Sequence, residues 1–124
     1  TEVPYGENSR VDILLQGDVD CYVEVKNVTA RDDEYAIFPD AVTVRGTKHL
    51  NELVGMVKAG HRAVIFFCIQ RDDVEMFRPA AEIDAVYAKT LVYAIANGVE
   101  ALAYSVAISA EEIRLVRPIT VKTA

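Results

Sequence analysis

The sequence contains no apolar run approaching the roughly 20 residues that cross a bilayer as a helix. Its longest candidate, 63–69, has the length of a strand. Cysteine is scarce: Cys21 and Cys68 are the only two, each inside an apolar run, with no C-x-x-C pair and no histidine at zinc-finger spacing. A disulfide framework and a cysteine metal site are therefore not expected; buried free thiols in a reducing, cytoplasmic compartment are. The opening Thr-Glu-Val-Pro-Tyr-Gly lacks the basic start and apolar core of a signal peptide. It also lacks an initiator methionine, so the expectation is a cut or processed piece of a longer chain. There is no internal repeat, no low-complexity segment, no Walker loop, no dinucleotide fingerprint and no Gly-x-Ser-x-Gly elbow.

What is present is globular in composition. With 124 residues, 52% hydrophobic and 26% charged, the chain can bury one core and is too short for two ordinary ones. Acidic residues outnumber basic ones, 19 to 13, for a net charge of -6. That balance argues against a polyanionic partner met by a basic surface. It leaves open a site where carboxylates hold a cation that in turn meets phosphate.

Hydrophobic spacing predicts three short strand-like runs, 2–5, 10–16 and 21–29, separated by turn compositions and arranged as an antiparallel meander. In the third, Cys21, Val23 and Val25 alternate with Tyr22, Glu24 and Lys26. Residues 30–40 read as a polar loop carrying Asp32, Asp33 and Glu34. Leu50, Leu53, Val54 and Val57 recur at helical spacing, predicting a helix over 47–59 with Gly60 as its stop. Residues 63–69 are apolar at every position, which suits a central strand covered from both sides. Asp84 is placed to cap a second helix that Gly98 ends. A strand over 99–108 and a short edge near 113–116 complete the chain. The fold class is α/β: a mixed β-sheet with flanking helices and two crossover units.

One group of residues carries chemistry. Glu24 and Lys26, two apart on a strand, project from one face, and hairpin pairing of 10–16 with 21–29 can bring Asp12 beside Glu24. An Asp…Glu-x-Lys arrangement suits a metal nuclease. Two carboxylates hold a hard cation such as Mg²⁺ or Mn²⁺, while the lysine orients hydroxide or offsets transition-state charge. Glu and Lys at this spacing are equally ordinary on the wet face of a strand. The helix and apolar strand that follow place this strand inside the sheet, where unpaired charge is costly. Asp40 is a further acidic candidate, as a ligand or an ordinary turn residue after Pro39. His61 reads as a loop histidine, and Tyr87 and Tyr93 as packing or surface residues of a helix.

Several longer words stand in order along the chain: Glu2-Val3-x-Tyr5-Gly6, Ser9-Arg10-x-Asp12, Tyr22-Val23-Glu24-Val25-Lys26-Asn27-Val28-Thr29, Phe38-Pro39-Asp40-Ala41-Val42-Thr43 and Arg45-Gly46-x-Lys48-His49-Leu50. Arg62-Ala63-Val64-Ile65-Phe66-Phe67, Phe77-x-Pro79-Ala80, Ile83-Asp84 and Gly98-Val99-Glu100 continue them. Over nearly its whole length the sequence resembles the C-terminal half of the bacterial sugar fermentation stimulation protein family.

The resemblance implies a restriction-endonuclease-like PD-(D/E)xK core, so that residues 1–124 form one nuclease-like domain of a longer architecture. It also implies an N-terminal OB-type domain in the full-length protein and a DNA-binding role in regulating sugar (maltose) metabolism. Carried onto this chain, the catalytic residues are Asp12, Glu24 and Lys26, with Asp12 and Glu24 as metal ligands and Glu2 an extra carboxylate. Arg10, Arg45, Lys48 and His49 become the candidate phosphate contacts. Neither the OB-type domain nor the helix preceding the first core strand is represented in the sequence. Weak DNA binding is therefore expected of this piece alone. Three functions remain open: an Mg²⁺-dependent nuclease, a non-catalytic DNA-binding regulator that keeps the nuclease fold, and a scaffold half supporting the OB-type domain. A homodimer is compatible with any of them.

Overall fold

The computed structural model describes residues 3–4, 10–11, 13–17 and 19–123, with 3, 4, 10, 11 and 13 as backbone. In chain order the elements are β1 (Val3–Pro4), β2 (Arg10–Val11), β3 (Ile13–Leu15), β4 (Cys21–Val28), β5 (Ala30–Asp32), β6 (Tyr35–Phe38) and α1 (Val44–Lys58). They continue with β7 (Arg62–Ile69), β8 (Met76–Pro79), α2 (Ala85–Ala96), β9 (Glu100–Ile108), β10 (Ile113–Pro118) and β11 (Thr120–Val121).

The main sheet runs β10-β9-β7-β4-β3, with β4, β7 and β9 parallel and the two outer strands antiparallel to their neighbours. Its parallel strands are joined through helices, as parallel pairing requires. A second sheet, β11-β8-β6-β5, lies beside it, and β1 pairs with β2 separately. The expected antiparallel pairing of the second and third runs is present in β3 and β4. The expected loop over 30–40 is instead a hairpin. Asp33 turns it with φ 54, and Ala36 and Ile37 of β6 are buried. Asp32, expected as a wet loop residue, pairs with Arg78 at 2.7 Å.

Helix α1 opens at Val44, three residues before the predicted start, because Thr43 caps it by accepting from the Gly46 amide at 2.9 Å. Asp84 caps α2 as expected, accepting from the Tyr87 amide at 3.0 Å. Its other oxygen accepts from the Thr43 amide at 2.9 Å, so one carboxylate serves both helix starts. These backbone donors, Thr43 first, hold the Asp84 carboxyl below its usual range. Gly46 lets the helices approach: a Cβ there would lie 2.8 Å from Thr43 Cγ2 and 3.1 Å from the Tyr87 ring.

Both helices pack on one face of the main sheet. Leu50, Leu53, Val54, Tyr87, Leu91 and Ala94 cover Val28, Ile65, Phe67 and Ile69, and Phe67 stacks on Phe77 with ring centroids 4.1 Å apart. The opposite face holds a smaller cluster of Cys21, Val23 and Val64, with Phe66 stacked on Tyr104. Burial raises the thiols of Cys21 and Cys68, the expected free cysteines. The central strand β7 is buried on both faces as expected, with Val64 and Cys68 only 4% and 5% exposed on this second one. Among the described residues no helix lies on this second face, and Leu102 and Leu115 remain 42% and 53% exposed.

Candidate active site

Strand alternation sends Tyr22, Glu24, Lys26 and Val28 of β4 toward the helices, and Cys21, Val23 and Val25 the other way. Glu24 thus sits among apolar neighbours, opposite Ile65 of β7, and is only 4% exposed. A carboxylate in that position requires partners. Lys26 supplies one: its Nζ lies 3.3 Å from Glu24 Oε2. His49, reaching in from α1 and 5% exposed, places Nδ1 3.4 Å from the same oxygen and 3.0 Å from Lys26 Nζ. A carboxylate oxygen, an ammonium and an imidazole nitrogen therefore close a triangle between β4 and α1.

The neighbourhood is enclosed and holds further acidic groups. Tyr87 is fully buried on α2, and its hydroxyl has no hydrogen-bond partner among the described residues. Burial raises its pKa, and the charges of Glu24 and Asp84 add to that. Glu52 stands three residues beyond His49, with its side chain 13% exposed and one oxygen 3.9 Å from Lys48 Nζ.

Of the residues expected from sequence, the fold brings Glu24, Lys26 and His49 together. The candidate phosphate contacts separate: Arg45 and Lys48 stand exposed on α1, whereas His49 faces inward. Asp12, Glu2 and the side chain of Arg10 lie outside the described residues. Asp40 is exposed, and His61 rests edge-on against the Tyr22 ring. Tyr87, expected as a packing or surface residue, packs against Phe38 with 5.4 Å between ring centroids. Its approach to the Glu24 charge carried no sequence signal. Glu52 did leave one, as the i+3 neighbour of His49.

Among the described residues no three His, Cys, Asp or Glu side chains form a metal-holding set. Glu24 offers one buried, hard oxygen donor of the kind Mg²⁺ prefers, and Asp12 is the expected second.

These features define a mixed α/β domain with a nuclease-like core. The profile described as the sugar fermentation stimulation protein RE domain matches residues 1–112. The chain belongs to the sugar fermentation stimulation protein family. It is 58% identical over 115 residues to a sugar fermentation stimulation protein homolog of Pelobacter propionicus, covering 92% of this chain and 50% of that protein. The homolog of Geobacter sulfurreducens is 56% identical over 114 residues, covering 92% and 49%. The chain therefore spans about half the length of these relatives. Pyrococcus furiosus SfsA, solved in complex with Ca²⁺, superposes with a TM-score of 0.88 at 32% identity, over 98% of this chain and 53% of that one.

Proposed function

We propose that this chain is the nuclease-type half of a DNA-binding protein, with Glu24 and Asp12 as ligands for a divalent cation and Lys26 as the catalytic cation. The observation that carries this reading is the burial of Glu24, with a half-buried Lys26 against it, on the helix-covered face. A fold gains little stability from such a pair compared with hydrocarbon of the same volume, so a buried pair is weak evidence for a stabilising role. Mg²⁺ or Mn²⁺ would bind there. The relative solved with Ca²⁺, another hard cation with oxygen ligands, supports that choice. When bound, the ion lowers the pKa of a water and offsets phosphoryl charge. Glu24 orients the site from β4, and Lys26 holds an ammonium where negative charge grows on the phosphate.

Arg45 and Lys48 offer phosphate contacts on the outer side of α1. With few such cations and a net charge of -6, this half binds DNA weakly, losing affinity with a salt slope of about 0.9 per phosphate neutralised. The family's other half, an OB-type domain, supplies the main groove, and the assembled cytoplasmic protein acts on DNA in sugar (maltose) metabolism. A second reading, a DNA-binding regulator without turnover, is favoured by the position of Lys26 Nζ, which already neutralises Glu24.

Cleavage assays of the full-length protein with Mg²⁺ or Mn²⁺ separate the two readings. Lys26→Ala should slow the chemical step about a hundredfold, roughly 3 kcal/mol, and leave metal affinity within a few fold. Glu24→Ala should lose metal and rate together. No cleavage of single- or double-stranded DNA or RNA by the wild type would retire the enzyme reading and keep the binding one.

A further inference from the structure

We infer that His49 is a positioning residue: its Nδ1 accepts a hydrogen bond from Lys26 and fixes the ammonium beside Glu24. An ammonium has three donors and no acceptor, so a hydrogen bond across the 3.0 Å contact requires a lone pair on Nδ1 and the ring proton on Nε2, whereas a proton on Nδ1 would point to Glu24 Oε2 at 3.4 Å instead. The two described partners of Lys26 differ in kind. Glu24 lies on the same strand, two residues away, and offers the oxygen that a bound cation would also claim. His49 comes from α1, a helix anchored by Leu50 and Leu53 in the main core, and has no charge to share with a cation when neutral. Once Glu24 turns to another cation, His49 is the described group that still holds Lys26 in place. A long, four-carbon side chain otherwise has many rotamers, and an acceptor on a rigid element selects one of them. This assigns His49 a task different from a phosphate contact, which its burial and its occupied Nδ1 disfavour. The catalytic consequence rests on the nuclease reading; the contact itself does not.

Two measurements test the inference. In ¹⁵N-labelled protein, two-bond ¹H–¹⁵N spectra of the two histidines, with His61→Gln for assignment, should show His49 with a bare Nδ1 and a protonated Nε2. Lys26→Met should shift the His49 signals and leave those of His61 in place. A proton on Nδ1, or His49 signals unmoved by Lys26→Met, overturns the inference. In the full-length protein, His49→Leu should lower kcat roughly tenfold to a hundredfold at unchanged half-saturating metal. His49→Asn, whose Oδ1 offers an acceptor near the place of Nδ1, should recover most of that loss at similar thermal stability. Equal kcat for the two variants overturns the positioning role. Absence of cleavage in the wild type retires the nuclease reading alone, and the spectra then decide the inference.

Discussion

The two faces of the main sheet each depart from the usual arrangement of polar and apolar side chains. A sheet covered on one side ordinarily turns hydrocarbon toward the cover and charge toward water. Here the helix-covered face holds Glu24, Lys26 and His49, while the open face shows Leu102 and Leu115 to solvent. Each face also carries an ion pair across or along its strands. On the covered face, Glu24 and Lys26 are enclosed. On the open one, Arg62 donates two hydrogen bonds of 2.9 Å to Glu100 from the neighbouring strand. Geometry alone would rank the open pair higher, since it is bidentate and shorter. Water reverses the ranking, because exposed pairs contribute little and losing one partner of an enclosed pair strands the other. An enclosed pair gains a fold little over hydrocarbon of the same volume, and that is the physical basis of the chemical role proposed for the β4 charges.

The contrast can be broken first through the hydrocarbon. Phe67→Ala on the covered face removes a fully buried ring and should cost about 3–5 kcal/mol in urea denaturation. Leu115→Ala on the open face should stay within about 0.5 kcal/mol of wild type. Comparable losses from the two would mean that the faces are equally enclosed.

Next in size is the enclosed pair. Glu24→Ala leaves an ammonium with its side chain only 15% exposed and should cost about 3 kcal/mol. Glu24→Gln, which keeps an acceptor, should cost less. A gain in stability from Glu24→Ala would instead show that the cluster is held under strain.

The smallest effect belongs to the open pair. The hydrogen bonds from Arg62 hold the Glu100 carboxyl below its usual range. A carboxyl with a lowered folded pKa adds stability above its unfolded value, about 4.3, and loses it as pH falls through the folded value. Arg62→Ala should therefore shift the urea midpoint slightly at neutral pH, and that gap should close in acid and in high salt. A gap that persists in acid would rule out the pair as its source.

Much of this was legible in sequence because it depends on local periodicity. Alternation placed Glu24 and Lys26 on one face, helical spacing found α1 and α2, and Asp84 announced its cap. The strands β5 and β6 were hidden because each is short and the charged turn between them has loop composition. The contact of His49 with Lys26 was hidden for another reason: it joins residues 23 apart in sequence, and nothing in the local pattern of α1 says which strand its inner face meets. What lies over each face of β7 was hidden, because a strand apolar on both sides reads the same with or without a helix above it.

Asp84 has a consequence for how the molecule opens. One carboxylate receives the amides of Thr43 and Tyr87, and Thr43 in turn receives that of Gly46. The first turns of two helices separated in the chain by two strands therefore hang from a single side chain. Fraying, which ordinarily begins independently at each helix end, is here tied together: α1 cannot release its cap without loosening the hold on α2. The two helix starts should open as one cooperative unit, with hydrogen-exchange protection at Gly46 and Tyr87 expected to rise and fall together.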